Sequence, residues 1–209
     1  MTKIRHPIFA RVYTLLTSLP DEEAAGHRRE LVAGLRGRVI EVGAGNGMNF
    51  AHYPPEVDGV VAVEPEPYLR ERAQRAAADA PVAVRVVEGT AEALPAADGE
   101  LDAAVASLVL CSVPDQARAL AEIRRVLRPG GELRFYEHVA ARDPRLRRTQ
   151  AALAPGWPRF AGGCHLDRDT VGAVERAGFE LVRVRHFAFA PSLLMKPVTP
   201  HVLGVARRP

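Results

Sequence analysis

RVIEVGAGNGMNF, residues 38–50, decides how the rest of the chain is read. The apolar run from Val39 to Val42 carries one acid, Glu41, and its short β-branched composition is that of a buried strand. It breaks straight into glycines at every second position, Gly43, Gly45 and Gly47, with Ala44 and Asn46 between them. Glycines at a strand-to-helix turn let the backbone take φ > 0 and let a ligand lie directly against the main chain. Met48-Asn49-Phe50 is expected to open a helix, whose free amides offer donors to a carboxylate or other anion. A dinucleotide fingerprint places its third glycine three positions after the second. Met48 stands there instead, so a nicotinamide-dependent oxidoreductase is disfavoured.

Working outward, GVVAVE reads as a second buried strand ending at Glu64, with Pro65 next. Glu64 follows Glu41 at close to the ~20-residue spacing at which an acid grips ribose hydroxyls in dinucleotide-binding folds. Pro67 opens a helix, PYLRERAQRAAADA, that Pro81 ends, and VAVRVVEG gives a third strand before Thr90-Ala91-Glu92-Ala93-Leu94-Pro95. LDAAVASLVL, residues 101–110, is the most apolar run and reads as a central strand leading into CSVPD. Asp115 or Pro114 begins the helix QARALAEIRRVLRPGG, which stops before a fifth strand, ELRFYEHV. This alternation predicts a doubly wound, mostly parallel α/β sheet. Ligands in such sheets bind beyond the carboxyl ends of the strands, here Gly43–Gly47, Glu64, Thr90, Ser107–Cys111 and Glu137-His138.

Towards the amino terminus, PIFARVYTLLTSL has apolar residues at helical spacing (Ile8, Val12, Leu15, Leu16, Leu19), and Asp21 caps a second helix closed by Gly34–Gly37. The first helix reads as a packing lid; the alternative is a pocket wall or a surface in peripheral contact with a membrane. Towards the carboxyl terminus, residues 141–163 are polar and interrupted by Pro and Gly, which suits a helix plus a substrate-side loop in which Trp157 and Phe160 wall a pocket. Asp167 or Asp169 caps a helix ending at Gly178, and FELVRVRHFAFA and HVLGVARR finish as an antiparallel pair of strands. One domain over residues 1–209 is expected: a helical lid (1–36), a cofactor-binding core (37–140) and a substrate-side segment with the terminal strands (141–209).

The chain has 209 residues, a net charge of +3, 47% hydrophobic and 25% charged residues, as an ordinary globular protein does. Arginines interleaved with acids, as in RERAQRAA and EIRRVLR, read as solvated helix faces rather than a nucleic-acid surface. No apolar run approaches the ~20 residues of a spanning helix, and the start lacks the apolar core of a signal peptide. Cys111 and Cys164 lack C-x-x-C spacing, so neither a metal site nor a disulfide framework is expected, and a reducing cytoplasm is the default.

An acid two residues before G-x-G-x-G resembles motif I of the class I S-adenosylmethionine-dependent methyltransferases. The acid after the second strand, A-E-A-L-P, L-V-L-C-S-V, V-L-R-P-G-G, Y-E-H-V and G-G-C-H-L-D-R-D extend the likeness over most of the chain from residue 38. The last segments resemble a branch that includes the methyltransferase-like 7 alkyl thiol methyltransferases and bacterial relatives labelled phospholipid or quinone methyltransferases. The resemblance implies a seven-stranded sheet with an antiparallel carboxy-terminal hairpin and S-adenosyl-L-methionine as cofactor, leaving S-adenosyl-L-homocysteine as product. It implies cofactor contacts from Glu41, Gly43, Ala44, Gly45, Asn46, Gly47, Glu64, Pro65, Thr90, Ala91, Ser107 and Leu108. At the adenine position the family commonly has an acid; Thr90 is a weaker acceptor there. The branch's mammalian members carry a hydrophobic membrane segment, which is not carried over to this chain.

The implied acceptor is a small-molecule thiol, with a phospholipid amine, a quinone or a hydroxyl as alternatives, and a cofactor-binding module without turnover as a further one. In-line displacement at a sulfonium requires mainly that the acceptor and methyl be held about 3–3.5 Å apart in a dry pocket. A thiol is only a few per cent ionised at neutral pH, so a modest base suffices. His138, past the fifth strand, and His165, before the late helix, are the candidate bases; the plainer alternative is that His138 orients a loop. Cys111 and Cys164 are expected to line the acceptor pocket with Trp157, not to act as covalent nucleophiles. No metal is expected to take part.

Overall fold

The seven strands form one sheet in the order β3-β2-β1-β4-β5-β7-β6. The computed structural model describes residues 7–17, 21–189 and 193–209. Leu19 and Pro20, expected to close the first helix, lie outside them. The strands are β1 (Gly37–Val42), β2 (Val57–Val63), β3 (Val84–Val87), β4 (Leu101–Ser107), β5 (Leu127–His138), β6 (Glu180–Ala188) and β7 (Pro200–Arg207). β1 to β5 run parallel, and β7 pairs antiparallel with both β5 and β6. The expected doubly wound sheet with a terminal antiparallel hairpin is therefore present.

Helices α1 (Pro7–Thr17), α2 (Glu22–Val32), α3 (Pro67–Ala77), α4 (Gln116–Val126), α5 (Pro144–Leu153), α6 (Trp157–Phe160) and α7 (Thr170–Arg176) surround the sheet. Their starts follow from capping chemistry. Asp21, Glu66, Asp115, Asp143 and Asp169 each accept a hydrogen bond from an otherwise orphaned first-turn amide. Of the two candidates for the last helix, Asp169 is the cap. The strand pleat sends alternate residues to two cores. Ile40, Val42, Ala104 and Leu133 pack on one face with α4 and α7; Val39, Ala103, Val105 and Tyr136 pack on the other with Leu31, Val32 and Ala73.

Two readings at the carboxyl ends of strands differ from expectation, and so does one pocket residue. Residues 48–50 do not open an α-helix: only a three-residue 3₁₀ turn, Phe50–His52, forms before Pro54 and Pro55 cut the helical path. β4 ends at Ser107 rather than Leu110, because Leu108 turns out of the strand at φ 57°, the only positive φ outside glycine among the described residues. Phe160 walls no pocket; it is 82% exposed. No helix among the described residues is long and apolar enough to cross a membrane.

Candidate active site

The glycine turn has the backbone its sequence calls for: Gly43, Gly45 and Gly47 adopt φ values of 66°, 59° and 86°. Space as well as conformation excludes side chains at two of them. A Cβ on Gly43 would lie 2.3 Å from Val109 Cγ2, and one on Gly47 would lie 2.8 Å from Ala76 Cβ. At Gly45 the nearest atom would be Tyr13 Cε1 at 3.7 Å, so the main chain is open there beneath α1. Asn46 ties the turn to that helix, its Nδ2 donating to Thr17 Oγ1 at 2.9 Å, while its buried Oδ1 has no partner.

Glu64 stands at the tip of β2, 5% exposed. Its Oε2 accepts from the Gly45 N–H and its Oε1 from the Glu66 N–H, both at 2.8 Å. Burial pushes its carboxyl up to about 7 against the pull of those two amides. A carboxylate is thus held at the mouth of the turn, one strand over, where a diol could take its outer lone pairs. Beside it, Pro65 accepts from Arg70 through its carbonyl at 3.1 Å. Thr90 and Ala93 close a small antiparallel bridge after β3 that buries Ala91.

Glu41 is placed differently from Glu64. It lies within β1 with both oxygens occupied, by Asn49 Nδ2 at 2.9 Å and the Tyr53 hydroxyl at 2.6 Å. Burial also pushes this carboxyl up to about 7. Asn49 in turn accepts from Arg28 Nη1 at 3.0 Å, and Arg28 reaches Ser107 Oγ at 3.3 Å. Glu41 therefore supports the turn from inside. Arg28, on α2, is a residue that sequence reading passed over: it is buried, and its Nε has no partner. Nothing in EEAAGHRRELV distinguishes it from its exposed neighbour Arg29.

The loop after β4 is shaped by a second acid that sequence reading placed at a strand end without a role. Glu137 is wholly buried. Its Oε1 accepts from the N–H groups of Val109 (3.0 Å) and Leu110 (2.9 Å), and its Oε2 from that of Cys111 (3.1 Å). The Leu108 N–H donates to the Tyr136 carbonyl at 2.7 Å. One carboxylate thus replaces the hydrogen bonds that the ended strand gives up, which is what allows Leu108 its turn. Burial, with Cys111 alongside, holds the Glu137 carboxyl far above its ordinary range.

Three of the residues expected on the acceptor side converge. His138 Nδ1 is 3.4 Å from Cys164 Sγ and 3.8 Å from Cys111 Sγ. The hydrogen bond with Cys164, and then burial, push the Cys111 thiol above its ordinary range. His165 meets this group through its main chain, its N–H donating to the Cys111 carbonyl at 2.8 Å; burial lowers its imidazole below the ordinary value. Trp157 opens α6 half-buried, its Nε1 enclosed without a partner. The sequence offers no short ligand motif, but the fold gathers three ligand-type side chains. Cys111, His138 and Cys164 place their ligand-type atoms within 4.8 Å of one another. Spacings of 27 and 26 residues hid the group from any search for short motifs.

Residues 40–135 match the family model described as Methyltransferase domain. The chain is 37% identical over 202 residues to thiol S-methyltransferase TMT1A of Homo sapiens, covering 91% of this chain and 82% of that protein. It is 32% identical over 212 residues to the human thiol S-methyltransferase TMT1B, covering 95% and 85%. Among solved structures it superposes, with a TM-score of 0.69 and 13% identity, on geranyl diphosphate C-methyltransferase from Streptomyces coelicolor A3(2), solved with Mg2+, geranyl diphosphate and S-adenosyl-L-homocysteine; 90% of this chain and 78% of that one are covered. At that identity the likeness speaks for the fold alone. The long matches to TMT1A and TMT1B carry more: this chain is a methyltransferase and belongs to their family.

Proposed function

We propose that the protein transfers a methyl group from S-adenosylmethionine to the sulfur of a small-molecule thiol, releasing a thioether, S-adenosylhomocysteine and a proton. The observation that carries the cofactor assignment is the Glu64 carboxylate fixed on the Gly45 amide at the mouth of three positive-φ glycines. The residues fit such a molecule by chemistry. Glu64 accepts the two ribose hydroxyls, and the open main chain at Gly45 admits close approach. Arg28 supplies a buried cation for the amino-acid carboxylate. Thr90 and Ala91 flank the base, and Ser107 and Leu108 close the far side. When bound, the cofactor supplies an electrophilic methyl on a sulfonium, which needs no further activation.

The chain's own task is then to orient a sulfur nucleophile and exclude water. Glu137 does the first by fixing the loop from Val109 to Cys111. Because Val109 packs against Gly43, the loop that shapes the acceptor side also closes the cofactor turn. Helix α1 does the second: Tyr13 lies over Gly45, and Phe9 packs on Gly162 in the turn before Cys164. The choice of a thiol acceptor is supported by the family named above and by the sulfur-rich lining at Cys111 and Cys164.

The test is a panel: purified protein with cofactor and a series of alkyl thiols, amines and phenols, products identified by mass spectrometry. Methylation on sulfur is expected. Silence on every thiol, with turnover of an amine or phenol, would overturn the acceptor assignment. Calorimetric binding of NAD in preference to S-adenosylhomocysteine would overturn the cofactor.

A further inference from the structure

The proposed function uses Cys111 and Cys164 only as lining and leaves His138 between them without a task, yet the arrangement of the three is more specific than lining requires. Two sulfurs and one ring nitrogen converge from three segments: the loop after β4, the end of β5 and the loop after α6. Cys111 and Cys164 are 1% and 5% exposed, and His138 is half-buried. A tetrahedral zinc with Zn–S near 2.3 Å and Zn–N near 2.0–2.1 Å sets ligand S···N edges of about 3.6 Å. The two observed S···N separations, 3.4 and 3.8 Å, straddle that value. The third edge, between the two sulfurs, is within 4.8 Å against about 3.8 Å around such a zinc, so closing around an ion asks the thiols to approach by up to about an ångström.

Each arm is also held in place by main-chain hydrogen bonds or strand pairing. The Cys111 amide is bound by Glu137 and its carbonyl by the His165 N–H. The carbonyls on either side, of Leu110 and Val113, accept from Arg168 at 2.6 Å each. The Cys164 N–H donates to the Ala161 carbonyl at 3.0 Å. His138 ends a strand paired on both sides, with its ring 4.5 Å from that of His201. Preformed donors of this kind lower the ordering cost of binding. Two thiolates and an imidazole suit a borderline-soft ion, not calcium or magnesium. Among the described residues the group offers three protein ligands rather than four, which leaves one coordination position open, the arrangement of catalytic rather than structural zinc.

We propose that Cys111, His138 and Cys164 form a zinc site whose fourth position takes the sulfur of the methyl acceptor. Loading the ion releases the two cysteine protons to solvent. The acceptor R–SH then displaces a zinc-bound water; its S–H bond breaks, the proton passes to solvent, and the sulfur lone pair bonds the metal. Coordination holds that sulfur as a thiolate at neutral pH. Once methylated, the sulfur is a neutral thioether, a weaker ligand, and water takes its place. The identity of the incoming ligand rests on the thiol reading of the previous section; the metal site itself does not.

The experiment measures metal first and chemistry second. Full-length protein loaded with zinc and desalted is expected to retain one ion per chain by elemental analysis. Cys111→Ser and Cys164→Ser are each expected to weaken zinc binding by more than the ~10–100-fold that loss of an outer-shell partner costs. The cobalt-substituted protein is expected to show a thiolate-to-cobalt charge-transfer band that changes when ethanethiol, but not ethanol, is added. Unaltered affinity for S-adenosylhomocysteine shows that the variants are folded. If they fail to fold, X-ray absorption on the zinc protein decides, with two sulfurs and one nitrogen expected. No stoichiometric zinc, or equal zinc in the variants, overturns the site. A cobalt spectrum indifferent to ethanethiol overturns acceptor coordination, as does full thiol methylation by metal-free protein. That last result would leave the proposed function standing, whereas silence on every thiol by zinc-loaded protein would remove it without touching the metal site.

Discussion

The cofactor half and the acceptor half of this site are built by opposite means. The glycine turn is continuous in sequence: Gly43, Gly45 and Gly47 set its backbone, and its acid arrives one strand later. The acceptor half is discontinuous. Residues 111, 138 and 164 meet only because β4 and β5 end side by side and the loop after α6 folds back over them. A turn of glycines depends on local backbone freedom, whereas a cluster gathered from three segments depends on everything that positions them. Loss of the Glu64 carboxylate should therefore stay within the cofactor half, and loss of a support such as Glu137 should reach every acceptor-side residue that its loop carries.

The largest expected effect is at Gly43. A valine there combines a left-handed φ of 66° with a Cβ 2.3 Å from Val109, so the turn and the loop above it must both move. A β-branched residue in that conformation costs about 1–3 kcal/mol before any clash. Gly43→Val is expected to abolish S-adenosylhomocysteine binding by calorimetry and to lower the melting temperature. Retained binding would break the comparison, because it would mean that the turn is not where the cofactor lies.

Next is Glu64. Removing a charge-assisted acceptor of two hydroxyls costs on the order of 1.5–3 kcal/mol per bond, so Glu64→Ala is expected to weaken S-adenosylhomocysteine about 10²-fold or more. The pH dependence sharpens this. Because burial raises the Glu64 carboxyl to about 7, the cofactor-free fold gains stability from it below about pH 4.5 and loses that gain as pH rises through 7. Ribose hydroxyls need the ionised form. Affinity is therefore expected to rise with pH up to about 7, by as much as roughly tenfold per unit, and then level off. Glu64→Gln should flatten the profile. Glu41, raised to a similar value, is held by Asn49 and Tyr53 inside the fold and should titrate alike with and without ligand.

The smallest effect on cofactor affinity, and the most telling one, is expected at Glu137. Glu137→Gln turns one of its acceptors into a donor facing main-chain N–H groups, which costs about 2–3 kcal/mol of stability through unsatisfied buried groups. Thermal unfolding should record that loss. Thiol turnover should fall with it, as Cys111 loses its anchor, while S-adenosylhomocysteine affinity changes by less than about threefold if the two halves are energetically separate. An equal fall in both would show that the Val109–Gly43 contact couples them.

Most of the fold was legible because it is written in periodicity and punctuation. Apolar runs of 4–8 residues, aspartates ahead of helices and glycines after them report local physics, and the sheet follows from their alternation. Both boundary readings that failed were at strand ends. Residues 48–50 looked helical but lie too close to Pro54 for more than a 3₁₀ turn, and Leu108 leaves β4 because a distant carboxylate takes over its loop's amides. Glu64 could be foreseen because its partner is a backbone turn in its own neighbourhood of the sheet. Glu137 could be seen as an acid at a strand end, but its three partners 26 to 28 residues away could not.

The sequence by itself determined the α/β architecture, the cofactor turn and the acid beside it, since each rests on backbone conformations that only particular residues permit. Tertiary structure alone decided that Arg28 and Glu41 lie buried beneath that turn, that Glu137 shapes the loop above it, and that two isolated cysteines and a histidine face one another. Side-chain contacts between segments dozens of residues apart leave no trace in local spacing. They exist only once parallel strands have brought their ends to the same edge of the sheet.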